Sequence, residues 1–136
     1  MAIHIVRLGS PRVRGEGLRI GTVRRPPRGV PRADFARRDF YDVWFPELAP
    51  SQAAVSQGLA AATPRQWAAF TRRYRREMSA PGPARALDLL AALSKGADFS
   101  VGCYCEDESR CHRSVLRELL RERGAKLGRA VKARLP

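Results

Sequence analysis

Apolar and polar positions alternate over Ile3–Leu8 ("IHIVRL"), with β-branched residues in the apolar places, which predicts a strand. "SPRVRGEG" breaks it, and "LRIGTV" (Leu18–Val23) predicts a second strand. "RRPPRGVPR" fits neither a strand interior nor a helix, because its prolines fix φ and lack a donor, so it reads as an arginine-bearing loop. "FYDVWFPEL" (Phe40–Leu48) is aromatic and extended and predicts a third strand, ended by Pro46. The period then changes. In "TPRQWAAFTRRYRREM", Trp67, Phe70, Tyr74 and Met78 fall along one helical stripe and read as core; Thr63 is the expected N-cap, Pro64 the first helical residue, and Gln66 the partner in a capping box.

"APGPARALDLLAALSKG" predicts a further helix, with Leu87, Leu90 and Leu93 inward and Gly96 as its stop. Phe99–Tyr104 predicts an interior strand feeding a last helix, Cys111–Arg123, ended by Gly124. Interspersed strands and helices imply an α/β fold: a small single domain with a mostly parallel sheet and helices packed on it. The domain is expected over residues 1–124, with 125–136 as a basic, solvated C-terminal tail.

Composition narrows the function classes. The 136 residues are 44% hydrophobic, enough for a core. No apolar run approaches the ~18 residues of a membrane span, and the start lacks a secretory leader, so a cytoplasmic protein without a membrane partner is expected. The net charge of +13 invites a nucleic-acid reading. Yet only Lys95, Lys126 and Lys132 are lysines, an arginine bias that a GC-rich genome would impose on any protein. The charge is therefore either functional or compositional.

The chemistry concentrates in "VGCYCEDESRCHRSVLREL" (Val101–Leu119), which holds all three cysteines and one of two histidines. On a regular strand Phe99, Val101, Cys103 and Cys105 share a face, and residues two apart are about 6.6 Å from each other. Cys103 and Cys105 should therefore splay, whereas Cys105 and Cys111 approach more easily across the "EDESR" loop. Val115, Leu116, Leu119 and Leu120 define the buried face of the last helix, which places His112 near its centre, flanked by Cys111 and Arg113. Ser109 is the expected N-cap, leaving the amides of Arg110, Cys111 and His112 free for an anion. Glu106, Asp107 and Glu108 would raise a neighbouring thiol's pKa.

Three functional readings follow. The first is an anion-binding pocket at the strand end and helix start, for a nucleotide or nucleic-acid phosphate, with Arg24, Arg28, Trp44 and Arg113 as ligand-binding residues. Trp44, Tyr41 and Tyr104 are available for stacking on bases. The second is a thiol enzyme with Cys105 or Cys111 as nucleophile and His112 as base. The third is a Cys3His metal module of Cys103, Cys105, Cys111 and His112, holding zinc or iron. Splayed C-x-C spacing counts against the third, so no cofactor is expected and the anion pocket ranks first. A structural reading stands beside them, with Cys103 as core and His112 merely hydrogen-bonded there. A Cys-x5-Arg phosphatase loop is excluded, since positions 109 and 111 are Ser and Cys.

"CYCEDESRCHRSVLRELL" resembles the C-terminal motif of the bacterial family known as domain of unknown function 488, whose other branch is YeaO-like. The resemblance extends through "PRG" (Pro27–Gly29), "VWFPELAPS" (Val43–Ser51) and Trp67, Phe70 and Tyr74, and covers roughly residues 3 to 124. It implies a compact α/β domain and supplies no reaction. The YeaO-like branch keeps the arginine loop and aromatic helix without the cysteines, which implies a branch-specific role for the thiols and an older binding role for Arg24 and Arg28, with Arg28 and Trp44 in one crevice.

Overall fold

The protein, seen in a computed structural model, is described over residues 1–128. Four strands, β1 (Ile3–Arg7), β2 (Leu18–Gly21), β3 (Val43–Trp44) and β4 (Phe99–Cys103), form one sheet in the order β1-β4-β2-β3. Every ladder is parallel. Four helices accompany it: α1 (Gln52–Ala60), α2 (Pro64–Met78), α3 (Pro81–Leu93) and α4 (His112–Glu122). This is a small single-domain α/β fold, and none of its described helices is long and apolar enough to cross a membrane.

One sheet face carries the main core. Ile3 and Ile5 of β1 and Phe99 and Val101 of β4 cluster with Phe70, Tyr74 and Met78 of α2, Leu87 and Leu90 of α3, and Val115, Leu116, Leu119 and Leu120 of α4. Val101 is 0% exposed and Leu119 6%, so the expected interior strand and its following helix are both in place. Burying each such side chain contributes about 1.5–3 kcal/mol. α2 begins as its sequence predicts: Thr63 Oγ1 accepts from the Gln66 amide and the Gln66 side chain accepts from the Thr63 amide, both at 3.1 Å.

α1 is not announced by the hydrophobic pattern. Ala54 is its only fully buried residue, so there is no stripe to read. Ser51 caps it, and the Glu77 carboxylate on α2 holds the Ser51 amide at 2.9 Å. The third strand is also shorter than the aromatic run suggests. Val43 and Trp44 lie half-exposed at the sheet edge, and Pro46 opens a single 3-10 turn rather than more strand.

Loops cover the opposite face, and Arg19 pins them. Its side chain is 1% exposed, pairs with Glu16 at 2.5 Å, and donates to the carbonyls of Ser10, Pro11 and Asp39. Ser100 Oγ on β4 donates to the Glu16 carbonyl from the same face. Gly21 and Gly102 are opposed in the ladder; a Cβ on Gly21 would lie 2.4 Å from the Tyr41 ring, so only a glycine lets that loop settle.

The expected solvated tail begins differently. Ile3 N–H donates to the Lys126 carbonyl and Gly128 N–H to the Ile3 carbonyl, each at 2.8 Å, so the chain up to Gly128 runs along the free edge of β1. The rest of that tail, 129–136, lies outside the described residues.

Candidate functional site

The ends of β2 and β4 and the start of α4 meet at the carboxyl edge of the sheet, where open parallel sheets place their ligands. β4 stops at Cys103 and the chain bends at Tyr104. That bend overturns the expected splay: it folds Cys105 back until its Sγ lies 3.8 Å from Cys103 Sγ. A regular strand would have kept the two far apart; the departure from strand geometry brings them together.

The N-cap of α4 is Cys111, not Ser109. Ser109 sits in a preceding 3-10 turn, where its amide and hydroxyl both bond Asp107. The backbone at Cys111 is extended, and its Sγ accepts from the Arg113 amide at 3.5 Å. Two of the amides expected to be free are spent, since Arg110 N–H donates to the Asp107 carbonyl and Cys111 N–H to the Glu108 carbonyl. Anion capture by those amides is thereby removed from the site.

His112 stands where the helical stripe placed it, 7% exposed. Its Nε2 lies 2.8 Å from the Thr22 carbonyl oxygen at the end of β2. A carbonyl only accepts, so Nε2 carries the proton and Nδ1 keeps a lone pair. That Nδ1 lies 3.8 Å from Cys111 Sγ. Burial holds the imidazole's pKa down at about 4 despite the Thr22 bond, so it is neutral at pH 7. Tyr74 packs edge-on against it with centroids 5.5 Å apart, and the buried Tyr74 hydroxyl bonds the Leu48 carbonyl.

Cys103, Cys105 and Cys111 are all free thiols. Hydrogen bonds from Cys103 and Cys105, then the Arg113 amide and guanidinium, hold Cys111 down at about 3 against the effect of burial. The two neighbouring sulfurs and burial push Cys103 far up. Cys105 gains from a Cys103 hydrogen bond, but Cys111 and burial leave it raised. The three acids face elsewhere: Glu106 meets Arg7, Asp107 holds Ser109, and Glu108 pairs with Arg117.

Arg113 is buried, 3% exposed, and is not among the residues that line the cleft. Its guanidinium donates to the Cys105 carbonyl at 2.5 Å, while Nε has no hydrogen-bond partner among the described residues. It meets neither Glu106 nor Glu108. It braces the bent thiol loop from within.

Above the thiols lies a cleft of about 620 Å³. Its floor is Cys103, Cys105, Cys111 and His112; its walls include Trp67, Phe70, Phe40 and Tyr104; its basic residues are Arg24, Arg25, Arg28 and Arg110, and no carboxylate lines it. Arg24 is committed, donating to the carbonyls of Pro46, Ala49 and Pro50. Arg28 is exposed and, among the described residues, has no hydrogen-bond or ion-pair partner. Arg110 lies over the Trp67 ring at 5.6 Å.

The structure separates Trp44 from Arg28. The Trp44 indole N–H is bonded to the Val23 carbonyl, and its ring borders a different hollow with Tyr41 and Arg32. Tyr41 is buried, so of the expected stacking residues only Tyr104 faces the cleft. Trp67 and Arg110 are cleft residues the sequence reading missed. Trp67 matches the stripe period of α2 but sits at its first turn, where the stripe emerges from the core; no sequence signal marks Arg110.

Neither the curated proteins nor the solved structures yield a match to this chain. A family model does: the one described as "Active DUF488-N3 subclade" matches residues 3–124, and the chain belongs to this family, DUF488-N3a.

Proposed function

We propose that the protein binds a small anionic ligand, a nucleotide or the phosphate of a nucleic-acid strand, in the cleft over the Cys/His floor. One observation carries this reading: a cleft of about 620 Å³ lined by four arginines and no carboxylate, with aromatic walls. The volume suits a nucleotide-sized molecule. The aromatic walls, Trp67 and Tyr104 among them, would take the flat apolar part of such a ligand, and the rim, where Arg28 is uncommitted, its anionic group. The anchor is this rim rather than the start of α4, whose Cys111 amide is already bonded.

Thiol-enzyme chemistry at Cys111 receives less support. Cys111 is 2% exposed, which leaves a substrate little access to its sulfur. Cys105, the half-buried thiol, is raised rather than lowered.

The test is thermal denaturation of the full chain with nucleoside monophosphates, inorganic phosphate and a short single-stranded oligonucleotide. Ligand at 100 times its Kd stabilises by about 2.7 kcal/mol. Stabilisation by nucleoside monophosphates beyond that by phosphate alone supports a cleft that reads both ends of the ligand. Binding of the oligonucleotide alone, steeply weakened by salt, supports a strand as the ligand. No stabilisation by any of them contradicts the reading.

A further inference from the structure

The floor of the cleft has a geometry that anion binding does not require. We propose that Cys103, Cys105, Cys111 and His112 bind one thiophilic divalent cation, of which zinc is the type, in a tetrahedral Cys3His site.

Distances come first. The donor atoms of Cys103, Cys111 and His112 all lie within 4.8 Å of one another. Cys105 Sγ is 3.8 Å from Cys103 Sγ, and His112 Nδ1 is 3.8 Å from Cys111 Sγ. Zinc–sulfur bonds of about 2.3 Å at tetrahedral angles put neighbouring sulfurs about 3.8 Å apart. Cys103, Cys111 and His112 thus stand near the spacing of three ligands of one tetrahedral ion, and Cys105, outside that mutually close set but against Cys103, joins as the fourth by a side-chain rotation.

The supporting groups fit as well. A metal-bound imidazole almost always donates its other N–H to a carbonyl or carboxylate. His112 does so through Nε2 to Thr22, and Thr22 is itself tied to β4 by its hydroxyl on the Gly102 carbonyl. The ring is thus locked with its Nδ1 lone pair toward the sulfurs. The Arg113 amide points at Cys111 Sγ, the arrangement that orients a coordinating thiolate.

Charge is compatible with the ion. Arg113 is a buried cation beside the thiols, with no carboxylate partner among the described residues and an unbonded Nε. Three thiolates and a divalent cation sum to one negative charge, and Arg113 cancels it. Binding displaces the remaining thiol protons to solvent and leaves the region neutral.

The cation replaces the expectation that no cofactor is present, which rested on a splayed C-x-C. It is independent of the ligand proposed for the cleft. If the cleft is empty of nucleotides the site still holds its ion, and if the ion is absent the rim arginines still bind anions.

The experiment uses the full chain. Protein purified under reducing conditions without chelator is analysed for zinc, iron and other transition metals. Metal-free protein, folded by circular dichroism, is then titrated with Co²⁺ alone and followed by absorption. One equivalent of zinc, together with intense tetrahedral cobalt bands and thiolate-to-cobalt charge transfer saturating at one equivalent, is expected. Cys105→Ser, at the half-buried position, should remove about a third of the charge-transfer intensity, one thiolate of three. Purified protein without stoichiometric metal, combined with weak octahedral cobalt bands and unperturbed thiols in the folded wild type, overturns the proposal.

Discussion

The Nε2 atom of His112 and the carbonyl oxygen of Thr22 lie 2.8 Å apart, joining the first turn of α4 to the end of β2. This one bond fixes the imidazole's tautomer and aims its second nitrogen at the thiols. The site is therefore anchored at the sheet's carboxyl edge, where the bent loop of Tyr104 and Cys105 meets the first turn of α4.

Arg28 and Arg24 should separate binding from stability. Arg28→Ala is expected to leave the melting temperature unchanged and weaken anion binding by about tenfold or more, the loss of one charge-assisted hydrogen bond. Arg24→Ala removes three backbone contacts and should lower stability by about 1–3 kcal/mol. Equal loss of stability in both variants would show that Arg28 is also a brace.

Arg113→Ala is expected to destabilise the fold by about 2–3 kcal/mol, measured by chemical denaturation, because a buried side chain and its bond to the Cys105 carbonyl are lost together. A sequence reading that sets Arg113 in an open crevice expects nearly unchanged stability. The difference arises from the bend at Tyr104, which closes the thiol loop over the guanidinium.

That bend shows where the sequence stopped being legible. Hydrophobic period revealed the strands, the capped α2 and the inward His112, because each follows from a repeating local geometry. The meeting of Cys103 and Cys105 depends on leaving strand geometry at a single residue, which no periodicity records. α1 carries no apolar stripe, so its existence rests on Ser51 and the Glu77 contact. Arg24 and Arg28 look alike in sequence; only the three carbonyls around Arg24 distinguish a brace from a free cation. The choice of Ser109 as cap followed residue preference, while the chain set a 3-10 turn there and gave the cap to Cys111.

The Glu16–Arg19 pair makes stability depend on acid. Burial pushes the Glu16 carboxyl up, but the Arg19 hydrogen bond and the Val13 amide more than offset it, and its pKa is lowered in the folded protein. Its contribution is fully present above the ordinary unfolded value, about 4.3, and is lost as pH falls through the folded value. Glu16→Gln should cost about 3–5 kcal/mol at pH 7, since Arg19 remains buried without a counter-charge. Urea titrations at pH 7 and pH 3 should show the wild-type advantage over the variant shrinking at the lower pH.

Native alkylation probes the thiols directly. Cys111 is 2% exposed and Cys103 7%, so iodoacetamide at neutral pH should modify the folded chain slowly, with Cys105 first, followed by mass spectrometry. Rapid, stoichiometric labelling of Cys111 would move the account toward a thiol enzyme.

The most direct measurement is calorimetric titration of a nucleoside monophosphate into the wild type and into Arg28→Ala, at low and at physiological salt. The cleft account predicts saturable one-to-one binding to the wild type, stronger at low salt and weakened about tenfold or more in the variant. Absent binding to the wild type, or binding indifferent to Arg28, would contradict it.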